Sequence, residues 1–226
     1  MKIKLTFKFV MTFLALTFLM LEAHEIVHTS IGRIICGCWG QRDFNAWNLC
    51  DSCEKNPFGI IATLVGPIFT YIMIWYGNGF LDINKTVNQK AFGFSLIFAN
   101  LPFGRLLTAL LGGGDEVVVV NTIVNNRNLS RLIVIILIIL IIAYPLFNAY
   151  RLIENKYKTG WFLVLLLVPV LAVLLIILGV MNSILEQGIL KSYWILGSPI
   201  LVTVWTGFVI LVYFFTRKNI YKLTEK

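Results

Sequence analysis

Charge is scarce in this chain, and the polar residue types are thin with it. Only 13% of the 226 residues are Asp, Glu, Lys or Arg, where a soluble domain carries about 25%. Hydrophobic residues make up 58%, and mean hydropathy is +0.84. A soluble globular protein is thereby excluded, and so is a disordered one. Long polar connections are missing too: the longest, Ile31 to Phe58, is too short for a separate soluble or regulatory domain. Histidine occurs only twice, and the four cysteines are confined to one loop. The net charge of +8 sits in so apolar a chain that it reads as a membrane-topology signal rather than a phosphate-binding surface. The expected surroundings are a lipid bilayer, and no nucleic-acid partner is expected.

What is present is a series of apolar runs, each near the roughly 20 residues a membrane helix needs. They cover about Phe9 to His28, Ile60 to Tyr76, Ala91 to Leu111, Leu132 to Tyr150, Trp161 to Met181 and Tyr193 to Phe215. The run Ile133 to Ile142 is rich in β-branched residues, but its length and a lipid solvent favour helix. The expected fold is an all-α polytopic bundle of about six transmembrane helices in one integral membrane domain. Residues 1–120 would form a core with three spans, and 121–226 would add three more. Lys2, Lys4 and Lys8 before the first run resemble the start of a signal peptide, but no small-x-small cleavage site closes it. An uncleaved first span is expected.

With six spans, twelve Lys and Arg side chains fall on the side of the termini and six on the other, with Arg105 inside the third span. The excess marks the cytoplasmic side, so both termini are expected in the cytoplasm of a multi-pass protein, in the cell membrane. The Ile31–Phe58, Gly112–Ser130 and Asn182–Ser192 connections would face outward.

Both histidines lie in His24-Glu25-Ile26-Val27-His28. Positions i and i+4 share a helix face, so the two imidazoles can reach one zinc ion. Glu25 sits beside that metal, where it can deprotonate water. A shuffled chain of this composition would show the pattern roughly once in four thousand times. The bland alternative is a frayed helix end near the headgroups. Against it, His24 is about 15 residues past Phe9, roughly 22 Å along the helix, still within a hydrocarbon core roughly 30 Å thick. Ionisable groups there cost roughly 2.5 kcal/mol or more each unless compensated. Glu22 is either a partner of an imidazole or an interfacial charge.

A catalytic zinc takes a third protein ligand and leaves a position open. Asp115, after Gly112-Gly113-Gly114 at the outward end of the third span, is the leading candidate. Glu116 is its rival, and a turn with two solvated acids is the plain alternative. Gly66-Pro67 falls mid-span, where proline frees a carbonyl and glycine allows close contact, unless it is only a kink. Pro102 should break or bend the third span, leaving Asn100 able to hydrogen-bond a peptide strand.

His24-Glu25-x-x-His28, Gly66-Pro67 on the next span, and Asn100-x-Pro102 leading to a glycine-flanked Asp115 together resemble the site-2 protease family of intramembrane zinc metalloproteases. The resemblance covers residues 20 to 120. It implies a membrane-embedded zinc with Asp115 as third ligand, Glu25 as general base, and Asn100 with Gly66 and Pro67 near the substrate. The chain departs from the family pattern at Val27, where glycine is frequent. It also departs at Asp115, which follows Pro102 by thirteen residues within Gly-Asp-Glu rather than Leu-Asp-Gly.

Cys36, Cys38, Cys50 and Cys53 follow as C-x-C and C-x-x-C. On an outward loop they read as two disulfides between the pairs. A structural four-thiolate zinc and free thiols are the alternatives. Either cross-link would shape a lid beside the site, and Trp39 and Trp47 are expected at the membrane interface. Arg105 can pair with Glu22 or Asp115, or snorkel outward. The functional expectation is a zinc-dependent metalloendopeptidase acting on a membrane-embedded or membrane-proximal peptide. The alternative is a non-enzymatic membrane protein that binds or passes a metal ion or proton. Such a transporter would more often show paired motifs in two halves, and spans four to six have no echo of His-Glu-x-x-His.

Overall fold

Thr6 starts the first helix by accepting a hydrogen bond from the Phe9 amide, and Gly37 ends it in the left-handed region. Between them α1, Phe7–Cys36, runs for 30 residues, about 45 Å. That is longer than the apolar run alone indicated, because the polar group Glu22 to His28 is buried inside the bundle rather than frayed at a membrane surface. The computed structural model describes residues 1–53 and 56–224. Among these, six helices are long and apolar enough to cross a membrane, and the few extended contacts are isolated bridges rather than sheet.

The second span is α2, Gly59–Gly79, with Pro67 inside it. The third is split. α3, Val87–Ala99, opens with a Thr86–Gln89 capping box. The chain then breaks at Leu101, whose φ is 52°, and Pro102 starts α4, Pro102–Leu110. A proline at the first helical turn and a left-handed residue before it make a break, not a bend.

The next stretch corrects the expectation of an outward loop over 112–130. Gly114, with φ of 90°, turns the chain into a short helix α5, Asp115–Val124. It puts both acids in the first turn, where the helix dipole favours negative charge. α6, Arg127–Leu152, follows at once. The fifth span is α7, Lys158–Ala172, continued by a π-helical stretch, Val173–Met181, and by α8, Asn182–Glu186. The sixth begins later than its apolar run: residues 193–199 form a small turn closed by a Tyr193–Pro199 bridge, and α9 spans Ile200–Thr216.

α1 is the axis of the bundle, packed against α2, α3 and α9, while α5 lies on α2 and α6. One apolar cluster includes Phe9, Phe13, Phe94 and Phe98 and extends to Val117 and Val134. A second gathers Phe18, Phe44, Ile177 and Val202. Outward side chains such as Leu137, Leu140 and Leu175 stay exposed and apolar, as a lipid-facing surface requires. The two termini meet on one face: the Lys4 amide donates to the Leu223 carbonyl at 2.8 Å, and Ile3 bridges Thr224.

The cysteine loop covers the opposite face. Cys36 is bonded to Cys53 and Cys38 to Cys50, the nested arrangement of the three possible. The loop is tied down by Arg42, whose Nη1 donates to Glu22 Oε2 at 3.0 Å and Nε to Ser198 Oγ at 2.6 Å. Thr206 on α9 donates to the same Glu22 oxygen at 2.7 Å. Glu22 is thus the counter-ion of Arg42, and not a partner of either imidazole.

Candidate metal centre

α1 presents His24 and His28 one turn apart, and their Nε2 atoms lie 3.1 Å from each other. The two rings are held from behind. His28 Nδ1 donates to the Ala62 carbonyl at 2.6 Å, and His24 Nδ1 pairs with the Thr70 hydroxyl at 2.9 Å. A carbonyl only accepts, so the proton of His28 is on Nδ1 and the lone pair on Nε2. Such partners orient a metal-binding imidazole and raise its basicity.

The break before α4 and the turn at Gly114 carry Asp115 to the same point. Its Oδ2 is 3.4 Å from His24 Nε2 and 3.5 Å from His28 Nε2. A tetrahedral zinc with ligand bonds of about 2.0–2.1 Å sets its donor atoms about 3.3–3.4 Å apart. The observed triangle of 3.1, 3.4 and 3.5 Å matches that edge length. Two imidazole nitrogens and one carboxylate oxygen are also a donor set zinc accepts.

Glu25 stands beside this triangle, 5% exposed, with its Oε2 buried and without a hydrogen-bond partner among the described residues. Together the formal charges of Glu25, Asp115, Glu116 and Arg105 sum to minus two. A divalent cation would neutralise the group, as a low-dielectric site demands.

Glu116 faces away from the histidines. Its Oε2 accepts from Arg105 Nη2 at 2.8 Å, and its Oε1 accepts from Arg105 Nε at 3.1 Å and from the Tyr71 hydroxyl at 2.6 Å. Arg105 Nη2 also reaches Asp115 Oδ2, at 3.2 Å. Of the partners open to Arg105, the chain uses Asp115 and adds Glu116; Glu22 is taken by Arg42.

Gly66 lies against His28 and is not among the residues that line the cavity. It packs against the His28 ring so closely that a side chain there would land on Nε2. Pro67 is buried next to it, in the body of α2. Asn100 ends α3, with its amide nitrogen donating to the Leu96 carbonyl at 2.8 Å and its Oδ1 buried and without a partner among the described residues. Trp47, expected at the interface, instead stacks on His28 with ring centroids 4.7 Å apart. Trp39 stays 40% exposed, beneath the Arg33 guanidinium.

No protein-family model, curated protein or solved structure matches this chain. The site therefore speaks through its own geometry. His24, Glu25, Asn100, Arg105 and Asp115 line a cavity of about 430 Å³. Apolar side chains line it too, among them Val170 of α7 and Val173, Leu174 and Leu178 of the π-helical stretch. Thr70, Tyr71 and Trp47 are the supporting residues that no motif announced. Thr70 alone had a signal, one helical turn beyond Gly66.

Proposed function

We propose that this chain is an intramembrane zinc metalloprotease of the site-2 protease type, hydrolysing peptide bonds of membrane-embedded or membrane-proximal substrates. The observation that carries the reading is the convergence of His24 Nε2, His28 Nε2 and Asp115 Oδ2 beside a buried, unpartnered Glu25 carboxylate. His24, His28 and Asp115 hold the metal. Zinc so bound supplies Lewis acidity, which acidifies water and polarises a carbonyl.

The protein residues do the rest. Glu25 takes the proton of the attacking water as its oxygen bonds to the carbonyl carbon, and returns a proton to the amine as the C–N bond breaks. The Ala62 carbonyl keeps His28 in the tautomer that ligation needs, and Thr70 holds the orientation of His24 and can accept from its Nδ1. Asn100 Oδ1 can accept from a peptide N–H laid along the cavity, which favours an unwound over a helical substrate. The apolar lining suits a hydrophobic peptide. In keeping with the charge asymmetry, the face that carries both termini is the cytoplasmic one.

Protein purified in detergent should hold one zinc per chain and cleave a quenched apolar peptide in micelles. Glu25→Gln should keep the zinc and lose about 10²- to 10⁴-fold in kcat. His24→Ala and His28→Ala should lose the zinc as well. Cleavage at the wild-type rate by Glu25→Gln would overturn the enzymatic reading.

A further inference from the structure

Arg105 is a full charge carried on a membrane-spanning stretch, where a lone arginine costs about 2.5–3.5 kcal/mol on insertion scales. Its side chain is only 15% exposed. Counter-charge explains part of its presence, since Nε and Nη2 form a two-pronged contact with Glu116, and Nη2 also meets Asp115. Glu116 is itself pinned by Tyr71. This fixes the plane of the guanidinium, because a fork bound at two points cannot rotate.

The third nitrogen takes no part in that fork. Nη1 contacts His24 Nε2 at 3.5 Å, and both residues line the cavity. That contact is long, and the lone pair it meets is the one His24 offers to a metal. One lone pair cannot serve both. With His24 ligated, the hydrogens of Nη1 are left to whatever occupies the cavity beside the metal ligands.

Resting on the protease reading above, we propose that Arg105 is a further catalytic residue. Its Nη1 donates to the oxygen of the scissile carbonyl as negative charge builds there. When the water oxygen bonds to carbon, the π pair moves onto the carbonyl oxygen, and Nη1–H hydrogen-bonds to that oxyanion. When the C–N bond breaks, the pair returns and the amine departs with the proton carried by Glu25. Arg105 gives up no proton at any step, as its very high pKa ensures. Fixed donors aimed at developing charge in a dry site are a large source of catalysis. The fork to Glu116 is the preorganising device, and lysine, a point charge on a flexible stem, cannot copy it.

The test uses Arg105→Gln and Arg105→Lys in the full-length protein, loaded with zinc or cobalt. Three quantities are read: metal per chain, kcat and KM on the micellar peptide, and the affinity of a phosphinic dipeptide followed by the cobalt visible spectrum. The anionic oxygens of that probe imitate the charged carbonyl. Arg105→Gln should hold one metal, keep KM within about threefold, and lose about 10²- to 10³-fold in kcat. Phosphinate binding should weaken by a similar factor. Arg105→Lys should likewise hold one metal without restoring kcat, and it carries the test alone if the glutamine variant does not assemble. Unchanged phosphinate affinity at full metal loading overturns the proposal. So does a loss of activity matched by loss of metal, the mark of a mere counter-ion for Asp115. A wild-type protein that binds cobalt and phosphinate but cleaves nothing refutes the protease reading instead, and the phosphinate titration still decides whether Arg105 contacts the anion.

Discussion

Gly66→Ala adds one carbon, and it should disturb both the His28 ring and the packing around it. The added Cβ would overlap the His28 ring at Nε2, Cε1 and Cδ2 together. Ordinary contact begins near 3.4 Å, so the ring must retreat by about an ångström or more. It has nowhere to go. Nδ1 is bonded to the Ala62 carbonyl at 2.6 Å, and Trp47 is stacked on one face. The strain should cost about 1–3 kcal/mol of stability, the usual toll of overpacking. A misplaced ligand should cost at least the 10- to 100-fold in metal affinity seen when a ligand's supporting partner is removed. Gly79→Ala is the matched control on the same helix, since its Cβ would meet nothing within 4 Å. Zinc affinity is measured by competition with a chromogenic chelator on detergent-solubilised protein, and stability by thermal unfolding of the same samples. Gly66→Ala that binds zinc as tightly as Gly79→Ala would refute the placement of α2 against His28.

Two further outcomes follow from the loop. Arg42→Met should destabilise the protein by about 3–5 kcal/mol, because it leaves Glu22 as an unpaired buried charge; both side chains of the pair are at most 2% exposed. Pairing it with Glu22→Leu should recover most of that loss, and an Arg42→Met variant that denatures like wild type would show the ion pair to be idle. A membrane-impermeant thiol reagent applied to intact cells should label Cys36, Cys38, Cys50 and Cys53 only after mild reduction; labelling that needs permeabilised membranes would place the loop in the cytoplasm.

The three converging donors were legible because their chemistry is local. His24 and His28 share a face through helix geometry alone, and Asp115 stood out as an acid at the end of an apolar span. Its helix did not stand out. Residues 112–130 read as a loop because Gly112 to Gly114 dominate the pattern, and because α5 is short and held by packing on α2 and α6. The pairing of Arg105 was open for a similar reason: Glu116 and Tyr71 come from elements whose proximity only the fold decides. Trp47 was misplaced by a rule about tryptophans at interfaces, which says nothing of a ring drawn inward by a cross-linked loop. The later start of α9 arises because 193–199 are apolar enough for a membrane yet bend at Leu196 and Gly197, both with positive φ. The π-helical stretch has no signature in residue types at all.

The contact of α9 with Glu22 bears on the order in which the protein is made. A ribosome that has released the first three spans and α5 has delivered His24, His28, Glu25 and Asp115. At that moment Thr206 is still untranslated, Glu22 lacks one of its donors, and the apolar lining from Val170 to Leu178 does not exist. The Ser198 anchor for Arg42 is also absent, so the loop that sets Trp47 on His28 is not yet fastened. A nascent chain thus carries these four side chains through insertion without the enclosure that would dry the site, and the enclosure closes only when the last helix arrives.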